Sequence, residues 1–273
     1  MLPYENLYIY EISGALSHSR RFFQKDFIGC WNEGEVSFLF FSAPRDEEVR
    51  NLVRRKRLTL ASRNVLDYQA WQAGEELKPF KVGSLVISPP WEEVTVDPGE
   101  NLIRLDPCVV FGTGYHPTTR ACLQALYRIY GVETPRVAVD LGTGSGILAL
   151  AAARWGAEKV LAIDTNELAV ETALRNVLLN GESERVEVKQ GRAEDFIEEE
   201  ADLVCANLHY DVIASLLGKR AFYRKRWFIL SGFFVRDVGE IERHWREKSI
   251  QVYDKLQTKN WMTLVGVNHR LQK

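Results

Sequence analysis

The stretch that decides the fold is V-A-V-D-L-G-T-G-S-G-I-L-A-L-A-A-A, residues 137–153. A short apolar pattern typical of a buried strand ends in Gly142, Gly144 and Gly146, and an alanine-rich helical pattern follows at once. Glycine lets the backbone turn sharply and leaves room for a ligand, while the start of a helix presents N–H groups that lack a partner within the helix. The stretch therefore predicts a strand, a ligand-binding turn and a helix in succession.

An acidic residue completes this pattern. Asp164 stands 22 residues after Gly142, at the end of the next predicted strand, where a carboxylate can accept both hydroxyls of a ribose. The dinucleotide fingerprint G-x-G-x-x-G would place its third glycine at position 147, which is Ile147. The pattern thus disfavours a dinucleotide, and glycines that serve only to pack helix against sheet are the alternative to a ligand site.

The rest of the chain after Pro117 alternates short apolar runs with helical stretches, which predicts a parallel sheet covered by helices on both faces. The last two runs, 250–256 and 261–267, are separated by too few residues for a crossover helix and should form an antiparallel hairpin. The predicted fold class is α/β, a Rossmann-like, mostly parallel sheet with an antiparallel last hairpin. The five parallel strands are predicted at 137–140, 160–164, 186–189, 203–207 and 227–231.

The first part of the chain has a different pattern. Strand-like runs at 7–12 and 36–41 and a charged helical stretch at 45–57 predict a small α+β domain. A short amphipathic helix is predicted to follow as a linker. The expected organisation is a small α+β domain over residues 1–62, a linker helix over 63–77 and a main domain over 78–273.

Composition excludes several classes of protein. Of the 273 residues, 46% are hydrophobic and 26% are charged, which is usual for a soluble globular protein. The 35 Lys and Arg residues against 37 Asp and Glu residues are too balanced for a protein that coats nucleic acid, so we expect no direct sequence-specific nucleic-acid binding. No apolar run approaches the roughly 20 residues that span a bilayer, and Met1 is not followed by a basic and then an apolar segment. We therefore expect a cytoplasmic protein without membrane contact.

The sequence also gives expectations about metal binding and oligomeric state. The four cysteines form no C-x-x-C pair and only five His are scattered along the chain, so we expect reduced thiols and no metal site. No long apolar surface pattern suggests an obligate interface, and we expect a monomer.

A second motif is D-P-C-V-V-F-G-T-G-Y-H-P-T-T-R, residues 106–120, immediately before the predicted helix that leads into the first of the parallel strands. With F-G-T-G-x-H-P-T-T the sequence resembles the methyltransferases of ribosomal large-subunit protein eleven (the Prm-A type), which are class I S-adenosylmethionine-dependent enzymes. Four shorter pieces resemble that family in the same order. They are D-Y-Q-A-W at 67–71, P-P-W at 89–91, A-N-L at 206–208 and L-S-G at 230–232.

The resemblance implies S-adenosyl-L-methionine as the cofactor and ribosomal large-subunit protein eleven, free or on the ribosome, as the partner. It implies methyl transfer to lysine side chains, and to the N-terminal amine as a second acceptor, with the small N-terminal domain recognising the substrate. Asn207 is the implied catalytic residue. The implied cofactor-binding residues are Thr119, Gly142, Asp164, Asn207, Phe111, Thr113 and Gly144.

The residues around Asn207 fit amine chemistry and also depart from a common pattern. Asn207 has the position of the Asn that opens N-P-P-Y in many amino-directed methyltransferases, and its amide oxygen can accept a proton from an amine. Here the sequence is N-L-H-Y, with His209 and Tyr210, together with His116, as candidates to line the amine channel. Cys108 stands where the family usually has Gly. Two alternatives stay open: transfer to another protein or a small amine, and a cofactor-binding module without turnover.

Overall fold

The computed structural model describes residues 4–16, 22, 23, 25–71 and 77–271. The chain divides after Lys78 into two compact units, with Asn166–Leu168 grouped with the first. Among the helices in the described ranges, none combines the length and the apolar character needed to cross a bilayer.

The smaller unit is a four-stranded antiparallel sheet in the order β2-β3-β1-β4, with one long helix, α1. Its core joins sheet and helix: the Tyr10 and Phe41 rings meet edge to face at 5.6 Å, and Val49 and Leu52 of α1 are fully buried with them. The strands predicted at 7–12 and 36–41 and the helix predicted at 45–57 are confirmed. The elements are β1 (Asn6–Ser13), β2 (Phe27–Glu33), β3 (Val36–Phe41), α1 (Asp46–Lys56), β4 (Thr59–Asp67) and α2 (Tyr68–Trp71).

The predicted linker helix is wrong over its first residues. Residues 63–67 belong to β4, where Asp67 lies opposite Asn6 in the ladder with β1. Pairing with a strand about sixty residues earlier supplies backbone hydrogen bonds that a local helical pattern does not reveal. Among the described residues of this range only α2 is helical, and the Asp67 carboxylate accepts the N–H of Ala70 at 2.9 Å. Residues 72–76 of the prediction lie outside the described residues.

The larger unit is organised by a seven-stranded sheet in the order β10-β9-β8-β11-β12-β14-β13. The first five strands are parallel, and β14 runs antiparallel to both of its neighbours, so the predicted α/β class and the closing hairpin are confirmed. The strands are β8 (Val137–Leu141), β9 (Lys159–Asp164), β10 (Val186–Gln190), β11 (Leu203–Asn207), β12 (Trp227–Phe234), β13 (Gln251–Thr258) and β14 (Trp261–Val267).

Alternate residues of the central strands face two separate cores, as the two-residue period of a strand requires. Ala138 of β8 packs in the core that holds α3, α4 and part of α5, whereas Val139 packs in the core that holds α6 and α7. The helices are α3 (Pro117–Val132), α4 (Ile147–Trp155), α5 (Glu167–Leu179), α6 (Tyr210–Leu217) and α7 (Val238–Glu247).

A small second sheet precedes α3 and was not predicted. Its three strands are β5 (Phe80–Val82), β6 (Leu85–Ser88) and β7 (Asn101–Arg104), with β6 antiparallel to β5 and parallel to β7. β7 leads directly into the 106–120 motif, so this sheet fixes the point from which the motif starts.

Candidate active site

The loop between β8 and α4 has a conformation that its glycines make possible. Gly142, Gly144 and Gly146 have φ of 75°, 56° and 85°, in the left-handed region that favours glycine. A Cβ at Gly142 would overlap the Leu208 side chain, and one at Gly144 would lie 2.5 Å from the carbonyl oxygen of Phe111. The glycines therefore serve close packing as well as the turn.

Asp164 lies against this loop. The N–H of Gly144 donates to Asp164 Oδ2 at 3.0 Å, so the carboxylate at the end of β9 is held at the loop backbone. The amides of Gly142 and Thr143 both donate to the carbonyl of Ile163, each at 2.8 Å. The glycine loop and Asp164, which the sequence predicted to form one ligand site, are thus adjacent in the structure.

The 106–120 motif crosses the same loop and is hydrogen-bonded to it at Ser145, a residue that the sequence analysis did not single out. The N–H of Ser145 donates to the Phe111 carbonyl at 3.0 Å, and its hydroxyl donates to the Gly112 carbonyl at 2.7 Å. Phe111 is 48% exposed. The Thr113 hydroxyl accepts the N–H of Tyr115 at 3.2 Å, which makes it part of a local turn.

The start of α3 brings two more of these residues into place. His116 Nδ1 accepts the N–H of Thr118 at 3.3 Å, so His116 caps the helix. Burial lowers the pKa of His116, which keeps the imidazole neutral at pH 7 with Nδ1 as an acceptor. Thr119 is buried, and its hydroxyl has no hydrogen-bond partner within the described part of the chain.

Asn207 ends β11 directly beside β12, and its neighbours explain two of the short motifs. Ser231 pairs with Asn207, and the Ser231 carbonyl accepts the N–H of Leu208 at 3.0 Å. Gly232 has φ of 90°, and a Cβ there would overlap the Leu208 backbone. Leu208 replaces a proline of N-P-P-Y without leaving a donor unsatisfied, and its side chain lies over Gly142.

Three residues singled out from the sequence acquire specific positions. His209 is the residue before α6, and burial, with a smaller effect of Glu240, raises the pKa of Tyr210 to about 12. The phenol of Tyr210 therefore stays protonated at neutral pH and is not a base there. Cys108 has φ of 54° although it is not glycine, a left-handed backbone conformation that glycine adopts at less cost. Burial raises the pKa of its thiol.

A buried carboxylate in β8 is a polar residue that the sequence analysis left without a role. Asp140 is 2% exposed, and its Oδ2 accepts the Thr143 hydroxyl at 2.7 Å. Burial raises the pKa of Asp140 to about 6, and the Thr143 hydrogen bond opposes that rise. Asp140 Oδ1 has no hydrogen-bond partner among the described residues. The sequence indicated a special role for Asp140 only in that it is a charged residue within an otherwise apolar predicted strand.

Two asparagines of the α5 region fasten the chain that leads into the site. Asn176 donates to the carbonyls of Asp106 and Ser145 at 2.9 and 2.8 Å, and accepts the N–H of Asp106 at 2.9 Å. Asn180 accepts the N–H of Arg104 at 2.8 Å and donates to its carbonyl at 2.7 Å. Nothing in the local sequence indicates these contacts.

The fold and the site together define the class I S-adenosylmethionine-dependent methyltransferase fold. Its marks are the sheet order, the glycine loop after the central strand and the acid after the next one. The chain fits that cofactor because two buried polar atoms, Thr119 Oγ1 and Asp140 Oδ1, lack partners among the described residues of this region. A ligand with ammonium, carboxylate and hydroxyl groups would supply such partners.

Comparison with known proteins gives the family. The model of the ribosomal protein L11 methyltransferase (PrmA) family matches residues 15–269, and the chain belongs to this family. It is 39% identical over 198 residues to a ribosomal protein L11 methyltransferase of Desulfitobacterium hafniense, a match covering 71% of the chain. Another from an Exiguobacterium species is 40% identical over 193 residues, 69% of the chain.

These matches extend over 62% and 61% of the two relatives' own lengths. A crystal structure described as ribosomal protein L11 methylase from Lactobacillus delbrueckii subsp. bulgaricus is 28% identical, with a TM-score of 0.60. That comparison covers 70% of this chain and 98% of the other. The likeness in fold and in sequence thus points to the same family.

Proposed function

We propose that this protein transfers methyl groups from S-adenosyl-L-methionine to amines of ribosomal protein L11. The observation that carries the proposal is the contact of Asn207–Leu208 with the glycine loop. It places the end of β11, where amino-directed methyltransferases have their Asn, beside the turn that we propose holds the cofactor. The family match over residues 15–269 and the names of the relatives support L11 as the acceptor.

The proposed cofactor contacts follow from the site. Asp164, held by the Gly144 N–H, would bind the ribose hydroxyls, and the backbone of the turn formed by Gly142 and Gly144 would lie against the ligand. The buried hydroxyl of Thr119 would bind the amino-acid part. Phe111 and Thr113 belong to the segment that crosses the loop, and we propose that they contribute as the wall and turn of the pocket.

The proposed mechanism assigns positioning and proton handling to the protein. The cofactor supplies a methyl group on a positively charged sulfur, which is open to attack in line with the carbon–sulfur bond. A lysine amine has an ordinary pKa of about 10.4, so its lone pair must first be freed of a proton. The Asn207 amide oxygen would accept a hydrogen bond from the neutral amine and orient its lone pair, while the proton passes to water.

We further propose that lysine side chains and the N-terminal amine are the acceptors and that the protein acts in the cytoplasm, where ribosomal proteins are used. The N-terminal α+β unit is the proposed substrate-recognition domain. The proposed reaction needs neither a membrane nor direct sequence-specific contact with nucleic acid.

The first experiment incubates the protein with S-adenosylmethionine and unmodified L11 and takes the intact mass of L11. We expect stepwise additions of methyl groups. Asn207→Ala should slow methylation by about tenfold to a hundredfold at saturating cofactor, because the hydrogen bond that orients the amine is lost. S-adenosylhomocysteine binding, measured on the same variant, separates this effect from the loss of a cofactor contact. An unchanged mass of L11 with cofactor binding confirmed would contradict L11 as the acceptor and favour another protein or a small amine.

A further inference from the structure

The second half of α1 carries positive charge that the proposed function does not use. Residues 50–57, R-N-L-V-R-R-K-R, include five cationic residues and no acidic one, although the whole chain has a formal charge of −2. All five are exposed, and we call them the basic patch: Arg50, Arg54, Arg55, Lys56 and Arg57. The nearly balanced charge of the chain is therefore unevenly distributed, and this segment attracts anions.

The geometry of α1 turns part of the basic patch toward solvent. Arg50 and Arg54 are four residues apart, so they lie on one side of the helix, about 6 Å apart along its axis. Val49 and Leu52 are buried and hold the other side of α1 against the core of its own unit. Arg57 caps the helix with φ of 55°, so the patch extends to the point where the chain leaves α1.

The acidic residues of α1 do not neutralise the basic patch. Asp46 pairs with Arg63 at 2.8 Å, and Glu48 pairs with Arg45 at 3.0 Å. Within the described part of the chain, no carboxylate forms an ion pair with any of the five patch residues. Their positive charge is therefore available to a partner.

Helix stability explains only part of the patch. Cations in the last turn of a helix are stabilised by its negative end, and Arg54, Arg55 and Lys56 lie in that turn of α1. Arg50 is the fifth of eleven helical residues, where this effect has faded. Arg50 and Arg54 are also a like-charge pair four residues apart, which weakens a helix. The arrangement thus favours binding over folding.

The chemistry of the patch suits phosphate. Four of the five residues are arginines, whose planar guanidinium groups donate two parallel hydrogen bonds to phosphate oxygens. A nucleic-acid strand carries one charge on every nucleotide, so it can contact several patch residues at once without any base being read.

We infer that the basic patch binds the phosphate backbone of RNA without preference for sequence. The choice of RNA rests on the proposed acceptor, because a ribosomal protein is used beside RNA. The contact itself takes no part in methyl transfer. It also agrees with the expected lack of sequence-specific nucleic-acid binding, since backbone contacts carry no direct sequence information.

The test measures binding of a fluorescein-labelled oligouridylate of about 16 nucleotides to the full-length protein. Fluorescence anisotropy gives the association constant over a series of KCl concentrations. The patch variant carries Arg50→Gln, Arg54→Gln and Arg55→Gln. It keeps Lys56, whose Nζ lies 4.8 Å from the centroid of the Phe22 ring.

We expect the Kd of the patch variant for the oligouridylate to rise by about tenfold or more at low salt. The slope of the logarithm of the association constant against the logarithm of KCl concentration should become shallower by about 2, since each lost phosphate contact removes about 0.7. An oligocytidylate of the same length should bind the unmodified protein with the same affinity, because only the backbone is contacted.

A matched variant controls for net charge. Lys219→Gln, Arg220→Gln and Arg224→Gln together remove the same three charges from exposed residues of the larger unit. We expect this variant to keep the salt dependence of the unmodified protein. Circular dichroism shows whether each variant is folded. Should the patch variant fail to fold, Arg54→Gln alone decides, with an expected change in slope of about 0.7.

Absence of RNA binding by the unmodified protein would overturn the inference. Equal losses in the patch and control variants would do the same, because net charge alone would then govern binding. An oligoglutamate with as many charges that binds the patch as tightly as the RNA would instead favour an acidic protein partner. S-adenosylhomocysteine binding and L11 methylation, measured on the unmodified protein, would persist in all three cases. Their absence would count against the proposed function.

Discussion

At the residue scale, Asp164 carries the proposed ribose contact, and Asp164→Asn keeps its size while removing its charge. We expect the Kd for S-adenosylhomocysteine to rise by about tenfold to a hundredfold, since a hydrogen bond to a charged acceptor contributes about 1.5–3 kcal/mol. Isothermal titration calorimetry measures this. Asp97→Asn is the matched control, because Asp97 is 75% exposed and pairs with Lys81 away from the loop. Unchanged binding in Asp164→Asn would refute the assignment.

The raised pKa of the buried Asp140 carboxyl predicts that the stability of the protein depends on pH. Its pKa in the folded protein is about 6 against 3.8 when unperturbed, so the folded state holds this proton more tightly than the unfolded state. The contribution to stability is therefore present at low pH and is lost as pH rises from about 4 through 6, by about 3 kcal/mol.

Asp140→Asn removes this contribution. The free energy of unfolding of the variant minus that of the unmodified protein should increase by about 2.5 kcal/mol from pH 4 to pH 7.5. Guanidinium unfolding at several pH values measures the difference. A constant difference between the two proteins across that range would contradict a raised pKa at Asp140.

Residues named by a motif were predictable, because strand ends and glycine turns are local properties. Asp164 and Gly142 meet at the loop because adjacent parallel strands end at one edge of a sheet. The contact of Trp261 with His116 was not predictable, because it joins residues about 145 positions apart through the hairpin's register. The left-handed backbone of Cys108 was likewise hidden, since a cysteine does not indicate positive φ.

At the element scale, Glu182 fastens the end of α4 to the start of β10. It is 1% exposed and forms ion pairs with Arg154 of α4 at 3.1 Å and with Arg185 at 2.7 Å. Glu182→Gln should lower the free energy of unfolding by about 2–3 kcal/mol, because two arginines lose their buried partner. Glu158→Gln is the control: Glu158 pairs with Arg136 on the surface, and its loss should cost less than about 1 kcal/mol.

Guanidinium unfolding of both variants makes the comparison, and equal losses would contradict the role of Glu182. Element type was well predicted for the large sheet, since β9 and β11 are continuous apolar runs bounded by polar residues. The predicted linker helix was wrong over residues 63–67 because these residues of β4 are exposed and take their structure from pairing with β1. An exposed edge strand has little hydrophobic periodicity, so a strand cannot be predicted there from the sequence pattern.

At the scale of the whole molecule, each of the two units has its own hydrophobic core. A ligand that binds one unit stabilises that unit by mass action, by about 2.7 kcal/mol at a hundred times its Kd. We expect S-adenosylhomocysteine to slow hydrogen exchange in the strands of the large sheet, such as β8 and β9, and to leave β1 and β3 unchanged. Hydrogen exchange with mass spectrometry tests this. Equal protection of both sheets would show that the two cores unfold as one.

The paired asparagines of the α5 region show how a helix can substitute for a strand. Asn176 and Asn180 are four residues apart, a rise of about 6 Å in a helix, which is close to the span of about 6.6 Å between two alternate residues of an extended chain. Each side-chain amide gives and takes one hydrogen bond with Asp106 or Arg104, as the peptide group of a neighbouring strand would. The segment entering the site begins at Arg104, the last residue of the edge strand β7, and from there to Asp106 a helix rather than a further strand supplies its backbone pairing. Its register is set by helical pitch, and a shift of one residue in either partner would break both pairs together.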